Sequence, residues 1–438
     1  MASVASPNLH PGAKVGSHAW YVVAALLTVS VLGYVDRLIL SFLIEPIKAD
    51  LTLSDTEVGL IAGLAFALLY VFAGIPIGRL IDTRRRVTVL AVCVLIWSVA
   101  TAASGLAVGF FSLFVARIFV GAGEAAVGPA AVSLVGDYFP PDKVQRPLGI
   151  FTVGLYAGGG FALILGGQLI AYLTALGEVD LPFLGATSAW RMTFLLLGLP
   201  GLVVAGLLMA TVREPLRRHH AESVDQHGAI TFFRAHRKLL LLTMFSVIMW
   251  GFNGYGLLNW YPAMLMRSYG LTTHEVAWTY GPAFLLGGTL GSLGLAPLTR
   301  WVARHGRTDA VFVVSLFSMT LMGVSSFVGP LMPSVAGVLV VSFLNLFGSS
   351  MTVAGVYAII TTVAPGQLRG LYTGIYMSVM NITGGAFGAV IVGLLTDHVF
   401  GAAGVNLALM CVAVVFAPAA SLLMYLAGRE YRRAPPAV

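Results

Sequence analysis

Long apolar stretches separated by short polar breaks run along the whole chain, and twelve of them reach the roughly 20 residues that a helix needs to cross a bilayer. Lipid offers the backbone no hydrogen-bond partners, so each stretch predicts a membrane-spanning helix. The predicted spans are 19–46, 55–80, 87–107, 110–138, 145–174, 190–212, 237–266, 273–302, 308–328, 332–363, 368–396 and 403–427.

One polar stretch is much longer than the other connections and divides the chain into two halves. The predicted parts are a tail 1–18, a six-helix bundle 19–212, a central loop 213–236, a second six-helix bundle 237–427 and a tail 428–438. Arg146 and Arg369, which open helices five and eleven, lie about half the chain apart, and paired six-helix repeats are a known transporter plan. The predicted fold class is an all-α integral membrane protein with twelve transmembrane helices in two bundles.

The composition excludes a soluble fold. Of the 438 residues, 58% are hydrophobic and only 10% are charged, and the mean hydropathy is +0.90, whereas an ordinary soluble domain has about 25% charged residues. Cys93 and Cys411 both lie in apolar stretches, so neither a disulfide framework nor a zinc site is expected, and no cofactor is predicted. No cleavable signal peptide is predicted, because the first 18 residues are polar.

The net charge of +7 comes from basic residues placed between the apolar stretches, which indicates membrane topology rather than nucleic-acid binding. On the side that carries both termini and the central loop fall 20 of the 25 Lys and Arg residues. They are Lys14, Arg79, Arg84, Arg85, Arg86, Lys143, Arg146, Arg213, Arg217, Arg218, Arg234, Arg237, Lys238, Arg300, Arg304, Arg307, Arg369, Arg429, Arg432 and Arg433. Both termini are therefore predicted to be cytoplasmic, in an inner (plasma) membrane.

Four charged residues lie deep inside predicted membrane helices, away from the helix ends: Asp36 and Arg37 on helix one, and Arg117 and Glu124 on helix four. Each charge at bilayer depth costs about 2.5–3.5 kcal/mol on insertion scales. Asp36 and Glu124 are predicted to take up and release protons in a cavity, with Arg37 as a switchable counter-ion. The alternative is a static ion-pair cluster that only joins helices one and four.

The second bundle carries no acid deep within its apolar stretches, and its central polar groups are neutral. They are Asn253, Asn259, Asn345, Thr352, Tyr357 and Asn381. A cavity between the bundles is thus expected to have one ionisable wall and one largely apolar wall. The predicted substrate contacts are Tyr34, Arg37, Arg117 and Glu124 on the first wall and Phe252, Asn253 and Met351 on the second. Ordinary core packing is the alternative for each of the last three.

Two motifs resemble those of the major facilitator superfamily. The turn after helix two, Gly78-Arg79-Leu80-Ile81-Asp82-Thr83-Arg84-Arg85-Arg86, is similar to the family's G-x-x-x-D-R-x-G-R-R loop and departs from it at Thr83 and Arg85. Arg117-Ile118-Phe119-Val120-Gly121 is similar to its R-x-x-x-G motif on helix four. The resemblance implies the superfamily's fold and a cytoplasmic gate formed by Gly78, Asp82, Arg85, Arg86 and Arg146. A solvated turn that fixes the topology is the alternative for Asp82.

Two further segments, Tyr34-Val35-Asp36-Arg37 and Gly121-Ala122-Gly123-Glu124-Ala125, resemble the spinster group of lipid transporters, in a bacterial-type member. This resemblance implies export or flipping of an amphipathic lipid, of the sphingosine-phosphate or lysophospholipid type, by proton antiport and alternating access. It also implies that Asp36, Arg37 and Glu124 form the coupling switch. The same fold carrying small organic anions or drugs is the alternative function.

Other function classes are not indicated. The sequence has no HExxH zinc motif, nucleophile elbow or P-loop in an accessible segment, so an enzyme is not expected. A channel would need a ring of like residues, and a sensor would need an added soluble domain. The expected partners are the transported molecule, protons and membrane lipids, without nucleic acid, and the chain is expected to be a monomer.

Overall fold

The computed structural model describes residues 16–140, 143–182, 185–217, 226–365 and 368–433. Within these residues twelve helices are long and apolar enough to cross a membrane, which confirms the predicted fold class. Spans 1 to 6 are Ser17–Phe42, Asp55–Thr83, Arg86–Ser104, Phe110–Tyr138, Arg146–Leu176 and Ala189–Thr211. Spans 7 to 12 are Gly228–Tyr269, Thr273–Arg304, Ala310–Leu331, Val335–Val363, Arg369–Phe400 and Ala402–Arg433. Lys14 and Arg218, with most of the predicted N-terminal tail, lie outside the described residues.

Spans 2, 4 and 11 are each interrupted within their length. Span 2 consists of the α-helices Asp55–Gly59 and Phe66–Thr83 around a π-turn at Leu60–Ala65. Span 4 is divided into Phe110–Glu124 and Val127–Tyr138. Span 11 consists of Arg369–Met380, a π-turn at Asn381–Gly385, Ala386–Leu395 and a second π-turn at Thr396–Phe400. Such π-turns often mark functional sites, and those at Leu60–Ala65 and Asn381–Gly385 face each other across the two halves.

Short elements join the spans. Helix Ile44–Leu51 follows span 1, and 3₁₀ turns at Gly329–Leu331 and Ala402–Gly404 lie at the end of span 9 and the start of span 12. Strands Val179–Leu181 and Gly185–Thr187 form an antiparallel hairpin between spans 5 and 6, with Val179 opposite Thr187. The hydropathy pattern did not predict this hairpin, because each strand has only three residues.

The predicted central loop 213–236 is shorter than expected. Helical structure begins at Gln226, and a kink at His236 (φ −113°, ψ 15°) separates this first segment from the helix that crosses the membrane as span 7. The ring of Phe232 lies 5.4 Å from the ring of Tyr372 on span 11, and the Tyr372 hydroxyl donates to the carbonyl of Ala229 at 3.1 Å. These tertiary contacts stabilise a helix in a segment whose polar composition indicated a loop.

A buried ion-pair cluster braces the N-terminal half on the side of the central loop. Arg86, at the start of span 3, pairs with Asp137 at the end of span 4 and with Glu214 after span 6, the latter at 2.8 Å. Arg86 is 1% exposed, so the cluster joins three spans of the same half in its interior.

A cluster with reversed charges occupies the corresponding place in the C-terminal half. Asp309, before span 9, pairs with Arg307 at 2.9 Å and with Arg432 at the end of span 12. Burial alone would raise the pKa of Asp309, but the hydrogen bonds and positive charge of these two arginines outweigh it, so the pKa of this carboxyl lies below its ordinary value. The matching positions of the two clusters support two related six-helix repeats.

The two halves touch closely on the side opposite the central loop, which we call the far side. Spans 2 and 11 cross there with their backbones in contact. A Cβ added to Gly59 would lie 2.7 Å from the carbonyl oxygen of Ala389, and one added to Gly63 would lie 2.6 Å from that of Ala386. Glycine permits this approach of two helices, and any larger residue would push them apart.

Ion pairs reinforce the contact on the far side. Arg267, at the end of span 7, donates to both carboxylate oxygens of Asp55 (2.8 Å each) and to Glu45 at 2.7 Å. Lys48 also pairs with Asp55, whose side chain is fully buried. Asp397, at the end of span 11, accepts hydrogen bonds from the first two backbone N–H groups of span 2 at 3.1 and 2.6 Å. We call Glu45, Lys48, Asp55, Arg267 and Asp397 the far-side clasp.

On the central-loop side the same two spans separate. Gly74 and Gly78 of span 2, and Gly370 and Gly374 of span 11, have no neighbouring atom within 4 Å of the place a Cβ would take. The space between the halves therefore opens toward the central loop and is closed on the far side.

Candidate functional site

A pocket lies between the two halves, next to the facing π-turns of spans 2 and 11. Four spans contribute to it, two from each half. The lining residues are Arg37, Leu38 and Ser41 of span 1, Ala62, Phe66 and Ala67 of span 2, Tyr255, Leu258 and Asn259 of span 7, and Asn381 and Gly385 of span 11. Arg37 is the charged residue of this set, so the pocket is suited to a ligand with an anionic group.

Arg37 is shared between the pocket and a buried carboxylate. Its Nη2 donates to Oε2 of Glu124 at 2.5 Å, and its side chain is 22% exposed whereas that of Glu124 is 4% exposed. The guanidinium carbon lies 4.2 Å from the centre of the Phe66 ring, with the rings of Tyr34 and Tyr70 at 5.6 and 5.7 Å. Seen from the pocket, Glu124 thus lies behind Arg37, which an aromatic surround holds in place.

Small residues and a helix break make room for this pair. Span 4 is interrupted directly after Glu124, where its first helix ends. Gly33 lies one turn before Arg37, and a Cβ there would be 3.3 Å from Cδ of Glu124. Gly121 packs directly against the backbone of Phe66. Larger side chains at these two glycines would separate spans 1, 2 and 4 or displace the carboxylate.

Asp36 forms a second buried site on another face of span 1. It is 3% exposed and accepts a hydrogen bond at 2.8 Å from the hydroxyl of Thr101 on span 3. Arg117, which is 1% exposed, donates Nη2 to the backbone carbonyl of Asp36 at 3.3 Å. Successive helical residues point about 100° apart, so Asp36 turns toward spans 3 and 4 while Arg37 turns toward the pocket. Arg117, predicted as a substrate contact, lies behind Asp36 and not at the pocket.

Both carboxylates keep hydrogen-bonding capacity that the protein does not use. Among the described residues, nothing bonds to Oδ1 of Asp36, to Oε1 of Glu124 or to Nε and Nη1 of Arg117. A buried charge without partners is costly. Either carboxylate would therefore be stabilised by a proton when the neighbouring arginine moves away from it. Of the two arginines, Arg37 lines the pocket, so a ligand there can pull it away from Glu124.

The wall that faces Arg37 is polar but uncharged. Tyr255 donates its hydroxyl to Oδ1 of Asn381 at 2.9 Å, and Asn259 donates to the backbone carbonyl of Tyr255 at 2.8 Å. Asn381 is the first residue of the π-turn of span 11. The wall was expected to be uncharged and largely apolar, and the structure places more hydroxyl and amide groups opposite the guanidinium than that expectation implied.

A sequence model described as Major Facilitator Superfamily matches residues 26–317, more than half of the chain. The chain belongs to the major facilitator superfamily. Members of this superfamily are transporters, so the protein is a multi-pass membrane transporter and not an enzyme.

Relatives and solved structures agree with this assignment. An MFS-type efflux pump of Mycolicibacterium smegmatis is 30% identical over 422 residues, covering 95% of this chain and 94% of that protein. The hexuronate transporter of Bacillus subtilis is 27% identical over 395 residues, covering 86% of this chain and 88% of that protein. Protein spinster of Drosophila melanogaster is 25% identical over 311 residues, covering 68% of this chain and 49% of that protein.

The fold matches a crystal structure of a bacterial homologue of the human lysosomal transporter Spinster, in an inward-facing and unoccupied conformation. The match covers 97% of this chain and 100% of that chain, with a TM-score of 0.81 and 24% identity. Together with the match to protein spinster and the family model, this confirms the predicted resemblance to spinster transporters within the major facilitator superfamily.

The three substrate contacts predicted on the second wall lie away from the pocket of this transporter. Asn253 lies two residues before Tyr255 and so points to nearly the opposite side of the helix. Its amide donates to the hydroxyl of Ser326 on span 9 at 3.0 Å. The ring of Phe252 packs 4.8 Å from that of Phe416 on span 12. Met351 is 1% exposed and packs in the core that spans 8, 9 and 10 share. In this structure all three are packed inside the C-terminal half.

The pocket contains residues that the sequence did not single out. Phe66, Tyr70 and Tyr255 surround or face Arg37, whereas Asn259 and Asn381 were noted only as central polar groups. The one available signal was the sequence Gly254-Tyr255-Gly256, in which a polar aromatic stands between two glycines at mid-span. Aromatic residues elsewhere in apolar spans are too common for Phe66 to stand out.

The C-terminal half contains an uncharged counterpart of the Asp36 site. Asn253 of span 7 bonds to Ser326 of span 9, just as Asp36 of span 1 bonds to the threonine of span 3. Asn345 of span 10 also donates to Ser326, at 2.9 Å, where span 4 of the first half contributes an arginine. Corresponding spans of this major facilitator fold thus carry the same kind of contact, ionisable in one half and neutral in the other.

The residues of the predicted cytoplasmic gate lie within the N-terminal half in this conformation. Asp82 and Arg85 are exposed, and Gly78 borders open space. Arg86 is buried in its own cluster, and Arg146 lies 5.7 Å from the ring of Trp20. The halves stand apart on this side, so the gate remains a prediction for the conformation that opens to the far side.

Proposed function

We propose that the protein is a proton-coupled secondary active transporter that moves an amphipathic lipid of the sphingosine-phosphate or lysophospholipid type by alternating access. The observation that carries the proposal is the ion pair between Arg37 at the pocket and Glu124 behind it. Arginine is well suited to a phosphate head group, because its planar guanidinium donates two parallel hydrogen bonds. The acyl chain would extend through the separation of spans 2 and 11 on the central-loop side.

In this mechanism Arg37 connects the proton to the substrate. While Glu124 is charged it holds Arg37, and an anionic head group must compete with it. Once Glu124 is protonated, Arg37 is free to bind the head group. A pH difference of one unit corresponds to about 1.4 kcal/mol. Such a difference changes the ratio of protonated to charged Glu124 by about tenfold.

The same linkage sets the direction of coupling. If protonation of Glu124 favours anion binding at Arg37, anion binding favours protonation of Glu124 to the same degree. Proton and anion then occupy the same conformation together, which favours symport over the antiport that the family resemblance implied. Asp36 is the second proposed proton site, because it is the other buried carboxylate beside Arg37 on span 1. The far-side clasp and the predicted gate would close the two sides in turn.

We further propose that the central-loop side is cytoplasmic, in an inner (plasma) membrane, and that the protein works as a monomer. The excess of basic residues on that side supports the orientation. In a Cys93→Ala/Cys411→Ala background, a membrane-impermeant maleimide should label Thr174→Cys, exposed on the far side, in intact cells. Arg304→Cys, exposed on the other side, should be labelled only in inverted vesicles, and the reverse pattern would contradict the orientation.

A small organic anion is the second candidate substrate, and the polar wall formed by Tyr255, Asn259 and Asn381 favours it. A sugar acid carries hydroxyl groups beside its carboxylate, and these match hydroxyl and amide groups placed opposite Arg37. The B. subtilis relative that is named a hexuronate transporter supports the same class.

Purified protein in phosphatidylcholine vesicles separates the two candidates. Under an imposed proton gradient, the vesicles are expected to move a fluorescent lysophospholipid between leaflets, as measured by its extraction with albumin. Uptake of radiolabelled hexuronate without lipid movement would replace the first candidate with the second. Empty vesicles and an Arg37→Gln variant are the controls, and both substrates should stay untransported in them.

A further inference from the structure

The beginning of the helix that forms span 7 carries a surface that the transport mechanism does not use. Between residues 226 and 238 this helix exposes two large apolar side chains, Ile230 (52%) and Phe233 (40%), beside the exposed Arg234 and Arg237. A helix face that combines arginines with an aromatic residue is typical of helices at a membrane surface. We propose that this segment binds the head groups of anionic phospholipids in the leaflet on the central-loop side.

Arg237 stands at the depth of the head groups. Phe245 and Leu241 are exposed apolar residues on the same helix, and they mark its lipid-facing surface. Arg237 lies four residues before Leu241, about 6 Å along the axis, and continues this surface at helical spacing. The head-group layer is roughly 5–8 Å thick on each side of the hydrocarbon core, so the Arg237 guanidinium is level with the lipid phosphates. Arg234 lies before the kink at His236, on the helical segment that also exposes Ile230 and Phe233.

Charge complementarity favours an anionic lipid over a neutral one. The end of span 12 lies beside this segment, since its Glu430 pairs with Lys238 at 2.8 Å. That pair is neutral, but Arg429 and Arg433 of the same helix end are exposed and add to the arginines of the span 7 helix. Each basic residue close to an anionic bilayer contributes about fivefold to binding, equivalent to about 1 kcal/mol.

The other face of the same segment packs on span 11. Ala229 and Phe232 contact Tyr372 of span 11 through the hydrogen bond and ring contact described above. Spans 7 and 11 belong to the same half, so this packing fixes the orientation of the segment within that half. Ile230, Phe233 and Arg234 are thereby left exposed on its outer face.

Native mass spectrometry of the full-length protein in detergent measures the binding. Dioleoyl phosphatidylglycerol is the anionic probe, and dioleoyl phosphatidylcholine is the neutral one. The wild-type protein is expected to retain phosphatidylglycerol preferentially, and Arg234→Gln/Arg237→Gln is expected to lose about 25-fold in affinity, fivefold for each charge. Arg300→Gln/Arg304→Gln is the matched control, because it removes two exposed charges from the end of span 8 on the same side. It should bind like the wild type.

Three results would overturn the proposal. The first is equal affinity of the wild type and Arg234→Gln/Arg237→Gln for phosphatidylglycerol. The second is an equal loss in the span 8 control, which would mean a diffuse charge effect instead of a site. The third is displacement of the lipid by inorganic phosphate, because the exposed Ile230 and Phe233 are expected to make binding depend on the acyl region. Arg37 and the pocket are the same in the wild type and in both variants, so the comparison between them is independent of the proposed function.

Discussion

Arg267 is expected to hold the protein in the conformation open to the central-loop side. It joins the two halves on the far side through two 2.8 Å hydrogen bonds to Asp55 and one of 2.7 Å to Glu45. Arg267→Met keeps most of the side-chain volume but removes the guanidinium, which leaves the fully buried Asp55 with Lys48 as its remaining cation. The variant should therefore favour the conformation in which the far side is open.

The size of the shift follows from burial. Removing one partner of a buried ion pair costs about 3–5 kcal/mol. The contact with Glu45, which is 40% exposed, adds little, because exposed pairs contribute about 0–1 kcal/mol. With about 3 kcal/mol lost from this conformation alone, the ratio of the two conformations changes by roughly 100-fold, since 1.4 kcal/mol corresponds to tenfold.

Spin labels on the far side report this change as a distance. Leu176→Cys in the N-terminal half and Val399→Cys at the end of span 11 are both exposed, and electron paramagnetic resonance measures the distribution between them. Arg267→Met should shift this distribution predominantly to longer distances, because the two halves separate on the far side. Arg191→Met is the matched control, because Arg191 pairs with Asp50 inside one half at 3.1 Å. An unchanged distribution in folded Arg267→Met protein would refute the role of the clasp.

Three further outcomes follow from the packing and the charges. Gly63→Ala brings a methyl group to 2.6 Å from a carbonyl oxygen of span 11, so it should disfavour the conformation closed on the far side by about 1–3 kcal/mol. Gly74→Ala, which adds its methyl group in open space, should leave the spin-label distances unchanged. Equal effects of the two variants would contradict the packing argument. Asp309→Asn should lower the free energy of unfolding by about 1.5–3 kcal/mol at neutral pH. Wild-type protein should lose the same stability as the pH falls from about 4 through the lowered pKa of Asp309, because the carboxyl stabilises the fold only while it is charged. Scanning fluorimetry in detergent measures this loss. A stability difference between variant and wild type that persists at low pH would refute the prediction. Arg37→Lys keeps the charge but loses the planar group over an aromatic ring, so the KM for lysophospholipid should rise at least tenfold, and an unchanged KM would exclude recognition by the guanidinium.

The cost of burying charge made the central site predictable. Asp36, Arg37 and Glu124 stand out because a lipid-embedded helix excludes ionised side chains unless they are partnered or functional. The structure places Arg37 and Glu124 in contact, although 87 residues separate them in the chain. The hydropathy pattern located the twelve spans for a similar reason, since the thickness of the hydrocarbon core fixes a minimum apolar length.

The facing of individual helices could not be predicted in the same way. Almost every side of a membrane helix is apolar, so the pattern does not distinguish the pocket side of Tyr255 from the core side of Asn253. The clasp between Arg267 and Asp55 joins residues that are 212 positions apart and lie at two different span ends, where charges are ordinary. The start of the span 7 helix at Gln226 depends on contacts with Tyr372, which no local pattern contains.

Proton flux through Glu124→Gln protein tests the coupling mechanism most directly. Proteoliposomes with a trapped pH indicator receive lysophospholipid from outside, and the internal pH is recorded. Wild-type protein and the control Glu178→Gln, which removes an exposed far-side carboxylate, are expected to acidify the interior as lipid moves. Glu124→Gln is expected to move lipid down its own gradient with much weaker acidification, because the proton on Glu124 is the one that Arg37 links to the lipid. Lipid-dependent acidification at the wild-type rate in Glu124→Gln would contradict the mechanism.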